Sequence, residues 1–349
     1  MFIVHEFAVR PAAERAEVFE ETAVRRGIGR AVIVEKDFWV CWVLAVLFGP
    51  GGPSPISSEA SPALLFKGGT SLSKVYGLID RFSEDVDLTV DRSVLVDTDN
   101  RPDAAGLSNH ERKRRIERVE ARCIEYVRDV LSPALTVRHV VGGKAEIAVD
   151  PDDAQTLLFS YPKALAAAAY GGTSYVQPVI RLEFGARGEM WPAESGRVAS
   201  YAAQEFPALF AAGSVEVRAL SPRRTFWEKA TILHAIAMKE TVGSAERQSR
   251  HYADLARLIE SPVGAASLAD LGLLRDVAQH KATYFASSAA RYDLAAPGSL
   301  RLVPPPSVRE ARARDYAKMQ EMFIVAPPVF AEVLAVIGQF EATVNATPQ

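Results

Sequence analysis

Residues 66 to 88, FKGGTSLSKVYGLIDRFSEDVDL, change their periodicity twice, and no other stretch of the chain constrains the fold as strongly. The apolar run ALLF, which is typical of a strand, leads to a glycine pair, Gly68 and Gly69. Apolar residues then recur with helical spacing, and from Ser83 to Val90 they alternate with polar residues as in a strand. The predicted order is therefore strand, glycine turn, helix, strand.

Asp85 and Asp87 occupy alternate positions of the second predicted strand, so both side chains leave the same face, with Cα atoms about 6.5–7 Å apart. Hard oxygen ligands suit Mg²⁺, which takes one or two carboxylates and completes its shell with water and phosphate oxygens. Two such ions can hold the attacking and leaving oxygens of a phosphoryl or nucleotidyl transfer. A solvent-facing strand with two acids would show the same pattern. A calcium loop is excluded, since Val90 and Val96 stand where an EF-hand needs Gly and Glu.

A third carboxylate is predicted in the segment VIRLEF. Ile180, Leu182 and Phe184 alternate with Arg181 and Glu183, so Glu183 projects away from the apolar face. If this strand lies beside that of the two aspartates, Glu183 joins them as a metal ligand or acts as a base toward an acceptor hydroxyl. A surface ion pair between Arg181 and Glu183 would give the same sequence.

Gly68 and Gly69 permit unusual backbone angles and let a ligand approach the main chain closely. The following helix would present the backbone N–H groups of Thr70 and Ser71 to an anion such as a triphosphate, and Thr70 is predicted to cap that helix. The segment GGTSLSK is neither a Walker A loop nor a Rossmann fingerprint. Alone it predicts a tight turn; beside the two aspartates it predicts a nucleotide site.

Arg81 and Ser83 precede the aspartates in the sequence. Arg81 is predicted either to contact a nucleotide phosphate or to pair with Glu84. Ser83 alternates onto the face of Asp85, where its hydroxyl would bond a phosphate or a metal-bound water.

The length of 349 residues predicts two domains, an α/β part over residues 1–215 and a helical part over residues 216–349. A net charge of -3 excludes a fold that is basic throughout, so any nucleic-acid contact must come from a local patch. The two cysteines, Cys41 and Cys123, have no partners at metal-ligand spacing. Such sparse use of cysteine is typical of a protein in a reducing compartment. With no secretory signal and no apolar run long enough to span a bilayer, the sequence predicts a cytoplasmic protein without a membrane segment.

The motif GGTSLSK followed by RFSEDVDL resembles the first motif of the nucleotidyltransferase superfamily, and most closely that of the AbiEii-type toxins of bacterial toxin–antitoxin and abortive-infection systems. The segment EKDFWVCWVL, residues 35 to 44, is also typical of this family. The resemblance implies an α/β (α+β) fold, with a nucleotidyltransferase-like mixed sheet and flanking helices followed by a mainly helical C-terminal part.

The family also carries a lysine on one helix and an aspartate on a following helix. The matching segments here are TFWEKATILH and RHYADLARL, so the resemblance assigns catalytic roles to Lys229 and Asp254. Thr225 and Glu228 form a capping-box pattern, which predicts that the helix starts at Thr225 and that Lys229 lies one turn in, able to reach a phosphate. Asp254 would orient Lys229 or a basic neighbour.

Residues 109 to 131 are predicted to form a charged helix, in which six basic residues between Arg112 and Arg122 are interleaved with glutamates. Such a pattern usually belongs to a solvated helix with i,i+4 ion pairs. The alternative is a surface that binds RNA phosphates.

The resemblance implies a toxin that moves an NMP from an NTP onto an acceptor with Mg²⁺, releases pyrophosphate, and blocks growth unless an antitoxin neutralises it. Some relatives modify the 3′ end of tRNA, so an RNA acceptor, and tRNA above all, is expected. Two alternatives stay open: nucleotidylation of a protein target by the same site, and a non-catalytic nucleotide-binding module. The intact D-x-D pattern favours catalysis over such a module.

Overall fold

The computed structural model describes residues 3–55, 63–83, 85–137, 145–171, 177–210, 213–239 and 247–347. The chain forms two compact units. Unit 1 comprises Met1–Gly77, Phe82–Arg101 and Lys113–Leu220, and unit 2 comprises Leu78–Arg81, Pro102–Arg112 and Ser221–Gln349.

Within the described residues, unit 1 contains one mixed sheet of seven strands in the spatial order β3-β4-β5-β2-β1-β7-β6. The strands are β1 (Leu64–Lys67), β2 (Asp85–Val90), β3 (Glu146–Val149), β4 (Thr156–Ser160), β5 (Ile180–Gly185), β6 (Ala193–Ala199) and β7 (Ser214–Leu220). The predicted domain boundary between residues 215 and 216 falls inside β7, and the longest segment of unit 2 begins at Ser221.

The centre of the sheet reproduces the order predicted for residues 66 to 88. Strands β1 and β2 are antiparallel, with Lys67 opposite Asp87, and β2 runs parallel to β5 on its other side. The alternation along β2 follows the pleat, because Val86, Leu88 and Val90 are fully buried while the aspartates leave the other face.

The helices of unit 1 flank this sheet. They are α1 (Ile3–Ala8), α2 (Ala12–Arg25), α3 (Ala31–Phe48), α4 (Gly68–Lys74), α5 (Asn109–Tyr126, which belongs to unit 1 from Lys113 on), α6 (Ser132–Val137) and α7 (Tyr201–Glu205). A π-helical segment, Val127–Leu131, joins α5 to α6.

Helix α3 is the core of unit 1, because every residue from Val32 to Phe48 is buried. Its aromatic side chains stack on strand β4 and the residues that follow, with ring centroids 5.8 Å apart for Trp39 and Tyr161 and 5.5 Å apart for Trp42 and Phe159. Such pairs contribute about 0.5–1.5 kcal/mol each beyond the area that they bury.

Unit 2 is mainly helical, as predicted. Its helices among the described residues are α8 (Pro222–Lys239), α9 (Ser249–Glu260), α10 (Pro262–Leu268), α11 (Leu271–Tyr284), α12 (Pro306–Lys318) and α13 (Phe330–Ala346). The predicted capping box is wrong, because α8 starts at Pro222, whose ring is suited to the first helical position. Thr225 lies inside the helix and its hydroxyl donates to the carbonyl of Ser221, so Lys229 lies two turns in.

Two further local sequence patterns predict elements that the structure does not form. The helical spacing of Leu72, Val75, Tyr76 and Ile79 predicts a helix that continues to Ile79, but the helix after the glycine pair ends at Lys74. The segment LTVRHVV, residues 135–141, is strand-like, but residues 135–137 belong to helix α6, and residues 138–141 lie outside the described residues. No helix among the described residues has the length and apolar character needed to cross a membrane.

Candidate active site

Gly68 and Asp87 are in direct contact, so the glycine turn and the D-x-D strand of unit 1 lie together in one site. Gly68 has a φ of +78°, in the region that favours glycine. A Cβ atom at this position would lie 1.9 Å from Oδ2 of Asp87. The backbone of the turn therefore approaches the carboxylate more closely than any other residue type would allow.

Asp85 and Asp87 lie on one face of β2 with different exposure. Asp85 is buried, with 7% of its surface exposed, and Asp87 is half-buried. The Asp87 carboxylate makes no hydrogen bond or ion pair with any residue that the structure describes. Its oxygens are left for water or for a cation from outside the chain.

Glu183 lies beside Asp87, because its strand β5 is the direct neighbour of the strand that carries the two aspartates. The two residues are register partners on the parallel strands β2 and β5, and such partners share a face. The Glu183 side chain is 40% exposed, and its Oε1 lies 3.5 Å from Nε of Arg181. Arg181 also forms an ion pair with Asp150. Glu183 thus both contacts Arg181 in a surface pair and stands next to Asp87, so the two alternatives from the sequence are compatible.

Two carboxylates on one strand fit the donor set of Mg²⁺, which seldom uses more than two protein carboxylates. Oxygen atoms of Asp85 and Asp87 would hold the ion beside the glycine backbone that contacts Asp87. Among the residues that the structure describes, no three His, Cys, Asp or Glu side chains are grouped closely enough to form a metal site by themselves.

The hydroxyls of Thr70 and Ser71 hold the turn rather than face outward. Thr70 does not cap α4; its hydroxyl donates to the backbone carbonyls of Asp85 and of Ser83, the latter at 3.2 Å. Ser71 donates to the carbonyl of Gly68 at 3.0 Å. Both side chains are buried; Thr70 ties α4 to β2 and Ser71 bonds within α4, so only their backbone groups remain for a phosphate.

Sequence reasoning missed Asp37, which fixes helix α4 from the core. Its Oδ1 lies 2.7 Å from Nζ of Lys74, and its Oδ2 accepts from the backbone N–H of Tyr201 at 2.7 Å. Burial alone would lower the pKa of Lys74, but the Asp37 carboxylate outweighs it and raises that pKa above its ordinary value. The signal was present in the sequence as EKD, three charges at the start of an apolar helix.

The other two charges of that triplet are also satisfied within unit 1. Glu35 accepts from the backbone N–H of Ala164 at 2.6 Å and from the hydroxyl of Tyr170 at 2.5 Å. Lys36 donates to the carbonyl of Gln177 at 2.8 Å. The three charged residues of EKD thus each bond to other parts of unit 1 and fix the position of α3.

Asp254 is the centre of a buried ion network in unit 2. Nε and Nη2 of Arg81 donate to its two oxygens, each at 2.7 Å, and Nζ of Lys229 lies 2.8 Å from Oδ2. The three side chains are 1% to 7% exposed. Asp254 therefore contacts Lys229, one of its two predicted partners. Arg81 binds Asp254, whereas its predicted partner Glu84 lies outside the described residues.

Burial and charge shift the pKa values in this network. Burial alone would raise the pKa of Asp254, but Arg81 and Lys229 outweigh it and hold that pKa well below its usual range. Burial lowers the pKa of Lys229, and Asp254 offsets only part of this effect. Burial, with the charge of Lys229, also lowers the pKa of His251 well below its ordinary value, so this imidazole is neutral at pH 7.

The basic residues of helix α5 have partners close by. Arg115 donates to the carbonyls of Asp99 and Arg101, and Arg118 donates to the side chain of Asn100 at 3.1 Å. Arg122 pairs with Glu125 at 2.8 Å. The partners of Arg115 and Arg118 belong to the segment before the helix and Arg122 pairs at i,i+3, so these contacts differ from the predicted i,i+4 pairs, whereas Lys113 and Glu117 form such a pair at 3.9 Å. RNA binding by the helix stays a prediction.

Ser83 is buried, with 6% of its surface exposed. Its carbonyl accepts from Thr70, which holds the chain in place two residues before the first aspartate. Whether its hydroxyl bonds a phosphate or a metal-bound water stays a prediction.

Comparison with known proteins places this geometry in a family. One solved structure that resembles the chain is MenT4, a nucleotidyltransferase toxin from Mycobacterium tuberculosis H37Rv, with 17% identity and a TM-score of 0.51 over 95% of this chain and 90% of that one. This likeness supports the nucleotidyltransferase-like mixed sheet. No curated protein matches the chain at a significant level. The model of the family described as "Nucleotidyl transferase AbiEii toxin, Type IV TA system" matches residues 56–336, which is most of the chain. The chain belongs to the AbiEii nucleotidyltransferase toxin family.

Proposed function

We propose that the protein transfers an NMP from an NTP to an RNA acceptor, with the 3′ end of tRNA as the leading candidate. The acceptor hydroxyl oxygen forms a bond to the α-phosphorus, the bond from that phosphorus to the bridging oxygen breaks, and pyrophosphate leaves. Membership of the toxin family supports the reaction class. The tRNA acceptor rests on the earlier resemblance alone.

The contact between Gly68 and Asp87 is the observation that carries the proposal. In this contact, a glycine backbone lies directly against a carboxylate. That carboxylate has no protein partner among the described residues. The backbone of Gly68, Gly69, Thr70 and Ser71 would bind phosphate oxygens, because the side chains of the last two are already engaged.

Asp85 and Asp87 would hold Mg²⁺, which would neutralise phosphate charge and orient the attacking and leaving oxygens. Glu183, beside Asp87 in the register, would take the proton of the acceptor hydroxyl. Lys229 and Asp254 keep their proposed catalytic roles, with Asp254 as the group that holds the ammonium. Arg81 acts through Asp254 in this proposal and not on a phosphate.

Family membership also suggests how the activity is controlled. Members are described as toxins of type IV toxin–antitoxin systems, so we propose that transfer inhibits growth and that a cognate antitoxin neutralises this effect. Expression of the chain alone should slow growth, and expression of an Asp87→Ala variant should not.

A labelling experiment tests the reaction directly. Purified protein is incubated with Mg²⁺, each α-labelled NTP in turn, total RNA and a cell lysate. Label on RNA supports the proposal, and label on tRNA identifies the acceptor class. Label on protein would assign the acceptor to a protein target. No label from the wild type, with growth inhibition that survives Asp87→Ala, would rule out catalysis by this site.

A further inference from the structure

Trp191 differs from the other tryptophans of the chain by being exposed. Its relative exposure is 64%, whereas Trp39, Trp42 and Trp227 are fully buried. A single exposed apolar residue needs no explanation by itself. The segment that carries Trp191 is therefore the second observation on which its role depends.

We call residues 186–192, between β5 and β6, the strap. Arg92 is buried and holds the strap by its guanidinium: Nη1 donates to the carbonyl of Gly188 at 2.6 Å, and Nη2 to the Glu189 carboxylate at 3.1 Å. A Cβ at Gly188 would lie 2.3 Å from Oγ1 of Thr89, so the strap backbone lies directly on the Thr89 side chain. The first half of the strap is thus fixed to the sheet.

The strap must cross the sheet. It leaves β5 at Gly185, opposite Thr89, and re-enters at Ala193, opposite Leu220 on β7. Strands β2, β1 and β7 lie between β5 and β6. The four strand spacings amount to about 19 Å, and eight residues reach at most about 28 Å. The strap is therefore long enough to pass over the face of these three strands but too short to go around their ends.

The face that the strap crosses is the one that carries the carboxylates. Thr89 alternates with Asp87 and Asp85 along β2, so the three side chains leave the same face, and Gly188 lies against Thr89 on that face. Trp191 follows Gly188 by three residues and precedes Ala193 by two, which places it on the part of the strap that crosses β1 and β7. Strand β1 is the neighbour of β2 that ends in the glycine turn.

We propose that Trp191 is a stacking platform for a nucleobase of the substrates. The inference rests on the proposed function, since it names the group that positions a base beside the phosphate and metal residues. A nucleobase offers a flat π face that stacks on aromatic side chains with little dependence on sequence. The base belongs either to the NTP donor or to the RNA acceptor, and both present the same chemistry to the indole.

Intrinsic fluorescence tests the proposal without an activity assay. Trp191→Phe keeps the three buried tryptophans and supplies the background signal. Wild type and variant are titrated with each NTP and Mg²⁺, with a short single-stranded RNA, and with inorganic tripolyphosphate and Mg²⁺ as a probe that has no base. Saturable quenching by NTP that is absent in Trp191→Phe assigns the donor base, and quenching by RNA alone assigns the acceptor base. Tripolyphosphate should displace NTP without quenching.

Binding measured by calorimetry gives the second readout. Trp191→Ala should weaken binding of the quenching ligand roughly 10-fold to 100-fold, and Trp191→Phe should weaken it less, because a phenyl ring still stacks. Val149→Ala, which shortens an exposed residue of β3, is the matched control and should bind as the wild type does. Circular dichroism confirms that each variant is folded.

Two negative outcomes have different meanings. If Trp191→Ala binds both NTP and RNA as the wild type does, while Asp87→Asn loses NTP binding, the stacking role is wrong and the proposed function stands. If the wild type binds neither ligand, the proposed function and the stacking role fail together.

Discussion

The carboxylates at the two candidate centres, Asp87 in unit 1 and Asp254 in unit 2, are held in opposite ways. Asp254 is 1% exposed, and two cations satisfy its oxygens within the protein. Asp87 is half-buried beside a glycine and has no hydrogen bond or ion pair with the described residues. A charge that the fold has already neutralised contributes first to folding, whereas a charge without a partner is available to a ligand.

Removal of Asp254 should have the largest effect on folding. Asp254→Ala leaves the buried charges of Arg81 and Lys229 without their partner, which should lower the free energy of unfolding by about 3–5 kcal/mol. The matched control is Asp80→Ala, since Asp80 pairs with Arg257 at 2.5 Å where both side chains are about half exposed. That variant should lose less than about 1 kcal/mol. Urea unfolding measures both, and equal losses would contradict the contrast.

Removal of Asp87 should act on chemistry and not on folding. Asp87→Ala deletes a carboxylate that bonds to no described residue, so the unfolding midpoint should stay close to that of the wild type. Label transfer should fall on the order of 10²–10³-fold, the loss typical of a group that stabilises charge in a transition state. A variant that transfers label normally but unfolds early would reverse the roles assigned to the two centres.

Gly68→Ala should damage the site and the fold together. The new Cβ would lie 1.9 Å from Oδ2 of Asp87, and the positive φ costs about 1–2 kcal/mol for any L residue. Gly77→Ala is the matched control, because Gly77 also has a positive φ, +61°, but has no atom within 4 Å of the position that a Cβ would take. Gly77→Ala should lose only the stability that the positive φ costs, Gly68→Ala should lose more because of the clash with Asp87, and only Gly68→Ala should lose label transfer more than about tenfold. Equal activity in the two variants would show that the contact with Asp87 is unimportant.

The pH dependence of unit 2 should show the smallest effect. The folded protein keeps His251 neutral, while the unfolded chain protonates it near its ordinary pKa of about 6.5. As the pH falls through that value the unfolded state gains protons, so the free energy of unfolding decreases. His251→Gln should remove on the order of 1 kcal/mol of this decrease between pH 6.5 and pH 5.5. An unchanged profile in His251→Gln would contradict the prediction.

The central part of the site could be predicted because it depends on short-range patterns. Alternation along β2 determines which side chains share a face, and the glycine pair marks a turn that only glycine accommodates. Family resemblance supplied the remote residues, Lys229 and Asp254. Their contact with each other, at 2.8 Å, matches one of the two partners predicted for Asp254.

Other parts depend on contacts between residues far apart in the sequence. Val75 continues the helical spacing after Gly69, yet α4 ends before it, and its side chain lies against Gly196 of strand β6. In the same way the sequence predicts that Arg81 contacts a nucleotide phosphate or pairs with Glu84, whereas its partner Asp254 is 173 residues away. Local periodicity does not contain either contact.

The register between β1 and β2 determines which side chains of these strands face the site. Lys67 stands opposite Asp87, and successive side chains of a strand leave opposite faces. A slip of the β1–β2 pairing by one residue would place Val86 and Leu88 outside and turn the aspartates into the apolar core, whereas a slip of two residues would restore the faces. The burial of these apolar side chains therefore keeps both carboxylates on the outer face.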